Sequence, residues 1–338
     1  MNAAHDPAEK FFFHRRAFAR LSAWPRLPAL AVVVVIALVG CGGGEKQAAE
    51  RSGRTVAATT VVAADIARAV LGPAIAVESV MPAGVDPHEF EPRPNDARLL
   101  LDSPLVVRSG GSIDAWSERF LAERSAGRVV DLARAVRAVA DDPHWWHDPE
   151  RGARAAFVVA RAGAAAGLAD RQVLRRRAVA YERRVRRLEQ AIRSCLAVVP
   201  RNRRLLVTGH RSLSYFARRF GLLEVGSVIP SLSTEAEPSP RDLARLAAQM
   251  RRRGIDVVFP ERGVSPRIER ALARQAGARL GQPLWTDSLA PRGPAASYLG
   301  MLASNADAIV RGLSGGRRGC PQALRLAAQH SPGRSPAA

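Results

Sequence analysis

Short apolar runs alternate with amphipathic stretches along most of the chain, beginning near Thr55. The apolar runs are rich in valine, leucine and isoleucine, which favours buried strands, and the stretches between them have helical spacing. Strands are predicted at 56–62, 75–81, 105–108, 128–132, 204–207, 223–228, 255–259 and 283–286. Alternation of this kind predicts βα units and mostly parallel sheets. We therefore expect an α/β protein with two Rossmann-like lobes.

One long amphipathic stretch interrupts the alternation between Asp170 and Val199. Its apolar residues recur at steps of three and four, on one stripe of a helix. A helix of about 25 residues is roughly 38 Å long, so we expect a rigid helix that joins two lobes. The predicted divisions are an N-terminal lobe (55–168), the linker helix (169–199), a C-terminal lobe (200–313) and a disordered tail rich in Gly, Pro, Ser and Arg (314–338).

The first 54 residues have the pattern of an export signal and a tether. Several arginines precede an apolar run, 29–39, that is too short to span a bilayer, so 1–40 is predicted to be a signal peptide. The run ends at Leu38–Cys41, which resembles the lipobox of bacterial lipoproteins and implies a lipid on Cys41. The alternative is an ordinary secretory signal with a chance cysteine. Residues 41–54 are predicted to be a flexible tether, which places the folded protein outside the cytoplasmic membrane, anchored by lipid.

Charge and cysteine content refine this interpretation. The net charge of the 338 residues is +20, and almost all basic residues are arginines spread along predicted helices. Nucleic-acid binding is one interpretation of such a charge, but the export signal argues against it. The two other cysteines, Cys195 and Cys320, form either a disulfide or two free thiols, and the sequence does not decide between them.

Two loops with an Asp-Pro-His opening carry the candidate chemistry. Asp86–Pro92 presents His88, and Asp142–Pro149 presents His144 and His147. Proline fixes its own φ and restrains the preceding residue, so both loops should be stiff and extended. The repeated context suggests that His88 and His144 face one site.

The second lobe offers two matching residues. His210 and Asp287 each lie just past a predicted strand. Ligands of open α/β sheets bind beyond the carboxyl ends of the strands. Two facing lobes would thus bring three histidines and one carboxylate together, a donor set that suits zinc.

The motifs that contain these residues resemble those of the metal-binding solute-binding lipoproteins of ABC importers for zinc and manganese. The similar stretches are Gly84–Pro92, Asp142–Pro149, Thr208–Phe216, Ser233–Ser239 and Thr286–Leu289. The resemblance implies two α/β lobes joined by one long helix, with metal in the cleft. It also implies that His88, His144, His210 and Asp287 are the metal ligands.

Three positions where this chain can be compared with the family pattern bear on which metal it binds. Where this chain has His147, the family usually has an apolar residue, so His147 is an outer-shell group, a spare ligand or a plain substitution. The histidine-rich loop of many zinc members is absent from 123–141. Manganese members often have glutamate at the third ligand position, so His210 favours zinc over manganese.

The leading hypothesis is a monomeric receptor that captures Zn²⁺ and delivers it to an ABC permease in the membrane. A manganese receptor of the same family is the runner-up. A surface adhesin or metal chaperone is an alternative of another class. A zinc hydrolase is disfavoured because Asp287 fills the fourth ligand position and the chain has no His-Glu-x-x-His helix.

Overall fold

The computed structural model describes residues 55–139, 141–263 and 266–329. The N-terminal lobe is built on a parallel sheet with strand order β2-β1-β3-β4. Its strands are β1 (Val56–Ala58), β2 (Val77–Ser79), β3 (Leu105–Arg108) and β4 (Arg128–Asp131). Its helices are α1 (Val61–Leu71), α2 (Pro94–Asp102), α3 (Glu118–Leu121), α4 (Leu132–Ala135) and α5 (Pro149–Ala165), with 3₁₀ turns at Gly111–Ser117 and Trp145–His147. The two central strands, β1 and β3, are buried along their whole length, as expected of a parallel sheet covered on both faces.

The linker is helix α6 (Arg171–Leu196), whose 26 residues give a length of about 39 Å. Asp170 caps its first turn by accepting hydrogen bonds from the backbone amides of Gln172 and Val173. One stripe of α6 is buried: Leu174, Ala178, Tyr181, Val185, Leu188, Ala191, Ile192 and Leu196. This stripe belongs to a hydrophobic cluster that contains residues of both lobes, so the core is continuous across the linker.

The C-terminal lobe repeats the strand order of the first. Its strands are β5 (Leu205–Thr208), β6 (Leu223–Ser227), β7 (Val257–Val258) and β8 (Arg279–Leu280). β5 pairs with β6 and β7 with β8, and a parallel bridge between Thr208 and Phe259 joins the pairs into the order β6-β5-β7-β8. Its helices are α7 (Ser214–Phe220), α8 (Pro240–Arg253), α9 (Arg267–Ala276), α10 (Tyr298–Leu313) and α11 (Pro321–Ala328), with 3₁₀ turns at Arg201–Arg203 and Pro294–Ala296. The carboxyl ends of both sheets lead into the loops with the candidate site residues.

The tail prediction is wrong for residues 314–329. Helix α11 packs with Ala323 and Ala327 buried, and a disulfide between Cys195 of α6 and Cys320 fixes its start. The compositional signal failed because a few buried alanines and one cross-link are enough to order a short, otherwise polar helix. Residues 330–338 lie outside the described part of the chain.

Other elements also differ from expectation. The strand predicted at 56–62 ends at Ala58, because helix α1 already begins at Val61. The strand predicted at 283–286 is reduced to a single bridge between Leu284 and Glu261, while β8 lies earlier at Arg279–Leu280. Helix α5 was not foreseen, although Asp148 caps it and Pro149 opens it, a recognisable start signal.

The signal peptide, the tether and Cys41 lie outside the described residues. Within the residues that are described, no helix combines the length and the apolar character that crossing a membrane requires.

Candidate metal centre

Four side chains from four loops converge between the two lobes. His88 lies in the loop after β2, His144 at the start of the 3₁₀ turn Trp145–His147, His210 two residues after β5, and Asp287 in the loop after β8. Each offers one ligand atom, and these atoms all lie within 4.8 Å of one another. His144 and His210 are completely buried, and the side chains of His88 and Asp287 are 4% and 7% exposed. The structure therefore brings together all four residues that the sequence singled out.

The spacing within this cluster fits one small cation. The Nε2 atoms of His144 and His210 are 3.2 Å apart. Asp287 Oδ1 lies 3.2 Å from His144 Nε2, and Oδ2 lies 3.4 Å from His210 Nε2 and 4.0 Å from His88 Nε2. Four ligands about 2.0–2.1 Å from a tetrahedral zinc stand about 3.3 Å from each other. His144, His210 and Asp287 already have this spacing, and His88 must move closer to complete the set.

Two carboxylates orient the buried imidazoles from behind. Asp142 Oδ1 lies 2.9 Å from His144 Nδ1, and Glu261 Oε2 lies 2.5 Å from His210 Nδ1. A carboxylate is an acceptor, so each Nδ1 donates a hydrogen and each Nε2 turns its lone pair toward the site. Sequence reasoning did not identify these roles. Glu261 does follow β7 closely, and the strand-end rule that selected His210 and Asp287 could have found it.

Electrostatics around the cluster favour an ionised Asp287. Burial alone would raise the pKa of Asp287, but His210, His144 and His88 together hold it well below its usual range. Burial opposes charge on His210 as well, yet the Glu261 and Asp287 carboxylates outweigh it and raise the pKa of His210 to about 10. In the same way burial opposes charge on His144, and hydrogen bonds to Asp142 and Asp287 raise its pKa. A metal at these nitrogens therefore competes with protons.

The loop that carries His88 is held by the opposite lobe. The Thr234 hydroxyl donates to Asp86 Oδ2 over 2.7 Å, and the Gly84 amide donates to Ser288 Oγ over 2.8 Å. Asp86 Oδ1 in turn accepts from the amide of His88 at 3.0 Å. These contacts place His88 against the C-terminal lobe, although it belongs to the N-terminal one.

His147 lies in the same turn as His144 but outside the convergent set. It is fully buried, its Nε2 is 2.8 Å from the Thr286 carbonyl oxygen, and burial together with His144 lowers its pKa to about 4. His147 is therefore neutral near pH 7. Glu235 and Glu237, the two acids of the Ser233–Ser239 motif, are exposed in the loop before α8.

Comparison with known proteins identifies the class of protein. Residues 56–312 match the family ZnuA, described as the periplasmic component A of a zinc-uptake complex, and the chain belongs to this family. It is thus the metal-binding receptor of an ABC importer, the substrate-binding component that works with a permease. Because the family and its relatives are binding proteins, the hydrolase alternative is excluded.

Individual relatives differ in the metal that their names specify. The metal ABC transporter substrate-binding lipoprotein FimA of Streptococcus parasanguinis is 26% identical over 304 residues, covering 85% of this chain and 97% of FimA. The manganese lipoprotein PsaA of Streptococcus pneumoniae is 24% identical over 303 residues (85% and 97%). The iron lipoprotein MtsA of Streptococcus pyogenes serotype M1 is 25% identical over 301 residues (84% and 96%).

Solved structures show the same fold. The periplasmic zinc-binding protein TroA of Treponema pallidum superposes with a TM-score of 0.72 at 24% identity, covering 77% of this chain and 99% of TroA. The Mn-bound periplasmic metal-binding protein of Candidatus Liberibacter asiaticus gives 0.70 at 21% identity, with the same coverage. These likenesses confirm the predicted two-lobe α/β architecture with parallel sheets.

Proposed function

We propose that the cargo of this receptor is Zn²⁺, bound by His88, His144, His210 and Asp287 and passed to a membrane permease. The observation that carries the proposal is the convergence of three imidazole nitrogens and one carboxylate within 4.8 Å. A site rich in imidazole suits zinc, whereas manganese prefers oxygen ligands. The spacing of the ligand atoms of His144, His210 and Asp287, 3.2–3.4 Å, supports the same choice.

Manganese is the second candidate because of one feature of the site. Both oxygens of Asp287 face histidines, Oδ1 toward His144 and Oδ2 toward His210. A carboxylate in this position can bind through both oxygens and raise the coordination number, which favours a harder ion. The manganese lipoproteins among the relatives are consistent with this alternative.

We also propose that the receptor acts outside the cytoplasmic membrane as a monomer, anchored through a lipid on Cys41. The lipoproteins among its relatives support this location. A tether of the predicted length, 41–54, would leave the cleft free to meet the permease. Replacing Cys41 with alanine should move the protein from the membrane fraction to the soluble fraction.

A competitive titration tests the cargo. The full chain, purified in detergent and stripped of metal, is titrated with Zn²⁺ and Mn²⁺ while bound metal is measured by mass spectrometry. One-to-one zinc binding that excess manganese cannot displace supports the proposal. Equal or stronger retention of manganese would replace zinc with the second candidate, and failure to bind either ion would refute the assignment of this site.

Substitution of single ligands tests the site itself. His144→Ala removes one metal bond and leaves Asp142 without its imidazole partner. We expect zinc affinity to fall by orders of magnitude. Substitution by glutamine of Glu237, which is exposed and outside the ligand set, is the control and should leave affinity unchanged.

A further inference from the structure

Two side chains of the second histidine loop reach into the C-terminal lobe and donate to one atom. Trp146 Nε1 lies 2.7 Å and His147 Nε2 lies 2.8 Å from the carbonyl oxygen of Thr286. A carbonyl oxygen has two lone pairs and can only accept, so His147 Nε2 carries the hydrogen. All three residues are buried, at 1% exposure or less. The two donors therefore saturate this carbonyl in a site without water access.

Thr286 is connected to the other candidate ligands as well. Its hydroxyl donates to Glu261 Oε2 over 3.1 Å, and Glu261 holds the ring of His210. On the other side, the Tyr298 hydroxyl donates to the Trp146 carbonyl over 2.7 Å and so fixes the loop that donates to Thr286. The peptide that precedes Asp287 is thus tied to both lobes.

The carboxylate of Asp287 has few supports of its own. Apart from the site histidines, Oδ1 has no hydrogen-bond partner among the described residues, and Oδ2 has only the Thr286 hydroxyl at 3.3 Å, whose one hydrogen is donated to Glu261 at 3.1 Å. Beyond its contacts with the histidines, its position therefore depends on its backbone. The backbone in turn is held by the Thr286 carbonyl.

We infer that Trp146 and His147 are positioning residues for Asp287, acting through paired hydrogen bonds to the Thr286 carbonyl. The inference rests on the proposed function, in which Asp287 is a metal ligand. Of the three roles that the sequence left open for His147, the inference selects the one in which the side chain holds a ligand in place. His147 supports the ligand that lies in the other lobe, and it binds no metal itself.

Neighbouring tryptophans provide a matched pair of variants. Trp146→Phe removes the N–H that reaches Thr286 and keeps most of the ring. Trp145→Phe makes the same chemical change in the same turn, but its Nε1 donates over 2.9 Å to Ser109 of its own lobe. Trp145 is also completely buried, so both variants lose one buried hydrogen bond. We expect zinc affinity to fall about 10- to 100-fold in Trp146→Phe and to stay within about twofold in Trp145→Phe.

Substitutions of His147 test the second donor. His147→Leu removes the N–H and should weaken zinc binding to a similar extent, whereas His147→Gln keeps a donor and should restore most of the affinity. In an Asp287→Ala background, His147→Leu should have no further effect, because its action passes through Asp287. Full additivity of the two substitutions would overturn the inference, as would an equal loss of affinity in Trp145→Phe.

A readout without metal separates this inference from the proposed function. In crystal structures of the metal-free variants, the Asp287 carboxylate should be displaced from His144 in Trp146→Phe and unmoved in Trp145→Phe. An unmoved Asp287 in Trp146→Phe refutes the positioning role even if the wild-type protein binds zinc. Failure of the wild-type protein to bind metal refutes the proposed function, while the carboxylate position still decides the positioning role.

Discussion

Four hydrogen bonds behind the site converge on the side chain of Glu261. Its carboxylate accepts from His210 Nδ1, from the His210 amide at 3.0 Å and from the hydroxyls of Ser212 and Thr286 at 3.3 and 3.1 Å. Two carboxylate oxygens can accept all four of these bonds, but the amide of glutamine cannot, because its NH₂ group only donates. Glu261→Gln should therefore lower zinc affinity about 10- to 100-fold while the fold persists. The measurement is zinc affinity by chelator competition.

The control for this prediction is Glu224→Gln in the same lobe. Glu224 is partly buried and accepts from the Ser214 hydroxyl at 2.8 Å, and among the described residues it has no direct hydrogen bond or ion pair with a site histidine; the Thr208 hydroxyl lies between it and the His210 carbonyl. Its substitution should leave zinc affinity unchanged. Equal losses in both variants would mean that general loss of charge in the C-terminal lobe, rather than orientation of His210, sets the affinity.

The metal-site residues that the sequence revealed are those marked by a local pattern, either a repeated motif or a place just after a strand. His88 and His144 were found from their repeated Asp-Pro-His context, and His210 and Asp287 from their places after strands. The role of the Thr286 carbonyl could not be predicted in this way. It is a backbone atom, and its importance depends on two side chains 140 and 139 positions away in sequence.

At the scale of elements, helices α1 and α10 are joined across the lobes by one carboxylate. Asp65 Oδ2 of α1 accepts from the Tyr298 amide, at the start of α10, over 2.9 Å. Burial raises the pKa of Asp65 to about 6, despite the Tyr298 amide and the nearby Arg68. The folded state therefore binds this proton more tightly than the unfolded state, whose pKa is near 3.8.

This shift fixes the sign of a pH effect on stability. Between about pH 4 and pH 6 the free energy of unfolding should decrease as pH rises, by up to about 3 kcal/mol from this group. Asp65→Asn keeps an acceptor for the Tyr298 amide and should abolish that decrease, so the variant gains stability over wild type at pH 7 but not at pH 4. Urea denaturation across this pH range measures the difference. Exposed Glu237→Gln is the control, and a parallel pH profile for Asp65→Asn and wild type would contradict the prediction.

The disulfide attaches the last described helix to the linker. Cys195 of α6 and Cys320 before α11 close a loop with a sequence separation of 125 residues. Cross-linking a loop of this length restricts the unfolded chain and is worth up to about 5 kcal/mol in the chain-entropy model. Replacing both cysteines with serine should lower the free energy of unfolding and leave zinc affinity unchanged, because neither cysteine belongs to the convergent ligand set. Loss of zinc binding in the folded variant would show that α11 supports the site.

A helix whose start is marked by a capping residue in the sequence was predicted at the right place, whereas a helix that depends on close packing was not. Helix α8 runs from Pro240 to Arg253 with Ser239 as its cap, as its sequence predicts. Helix α5 was missed because it is built largely of small residues: a Cβ on Gly152 would lie 2.3 Å from Tyr298 Oη. Such close packing against another helix is a tertiary property that the sequence alone does not show.

At the scale of the whole molecule, several features oppose a wide opening of the cleft. The core is continuous from one lobe through α6 to the other, and the lobes share the bonds of Thr286, Asp65, Gly84 and Thr234. Opening by hinge rotation would expose apolar surface and break buried hydrogen bonds together, each of which has a cost. Local movement of the loops around His88 and Asp287 would leave the shared apolar core and the bond between Asp65 and Tyr298 intact.

We therefore predict that metal binding changes the shape of the protein only slightly. Small-angle scattering of the full chain in detergent, with and without one equivalent of Zn²⁺, should give the same radius of gyration within error. The detergent contribution is removed by contrast matching, and Asp287→Ala with zinc serves as the control for a chain that lacks a complete site. A clear compaction of wild type that Asp287→Ala does not show would mean that the lobes close as rigid bodies. In that case the shared core and the bonds between the lobes, as described for this structure, belong to the closed state alone, and α6 acts as a hinge rather than a strut.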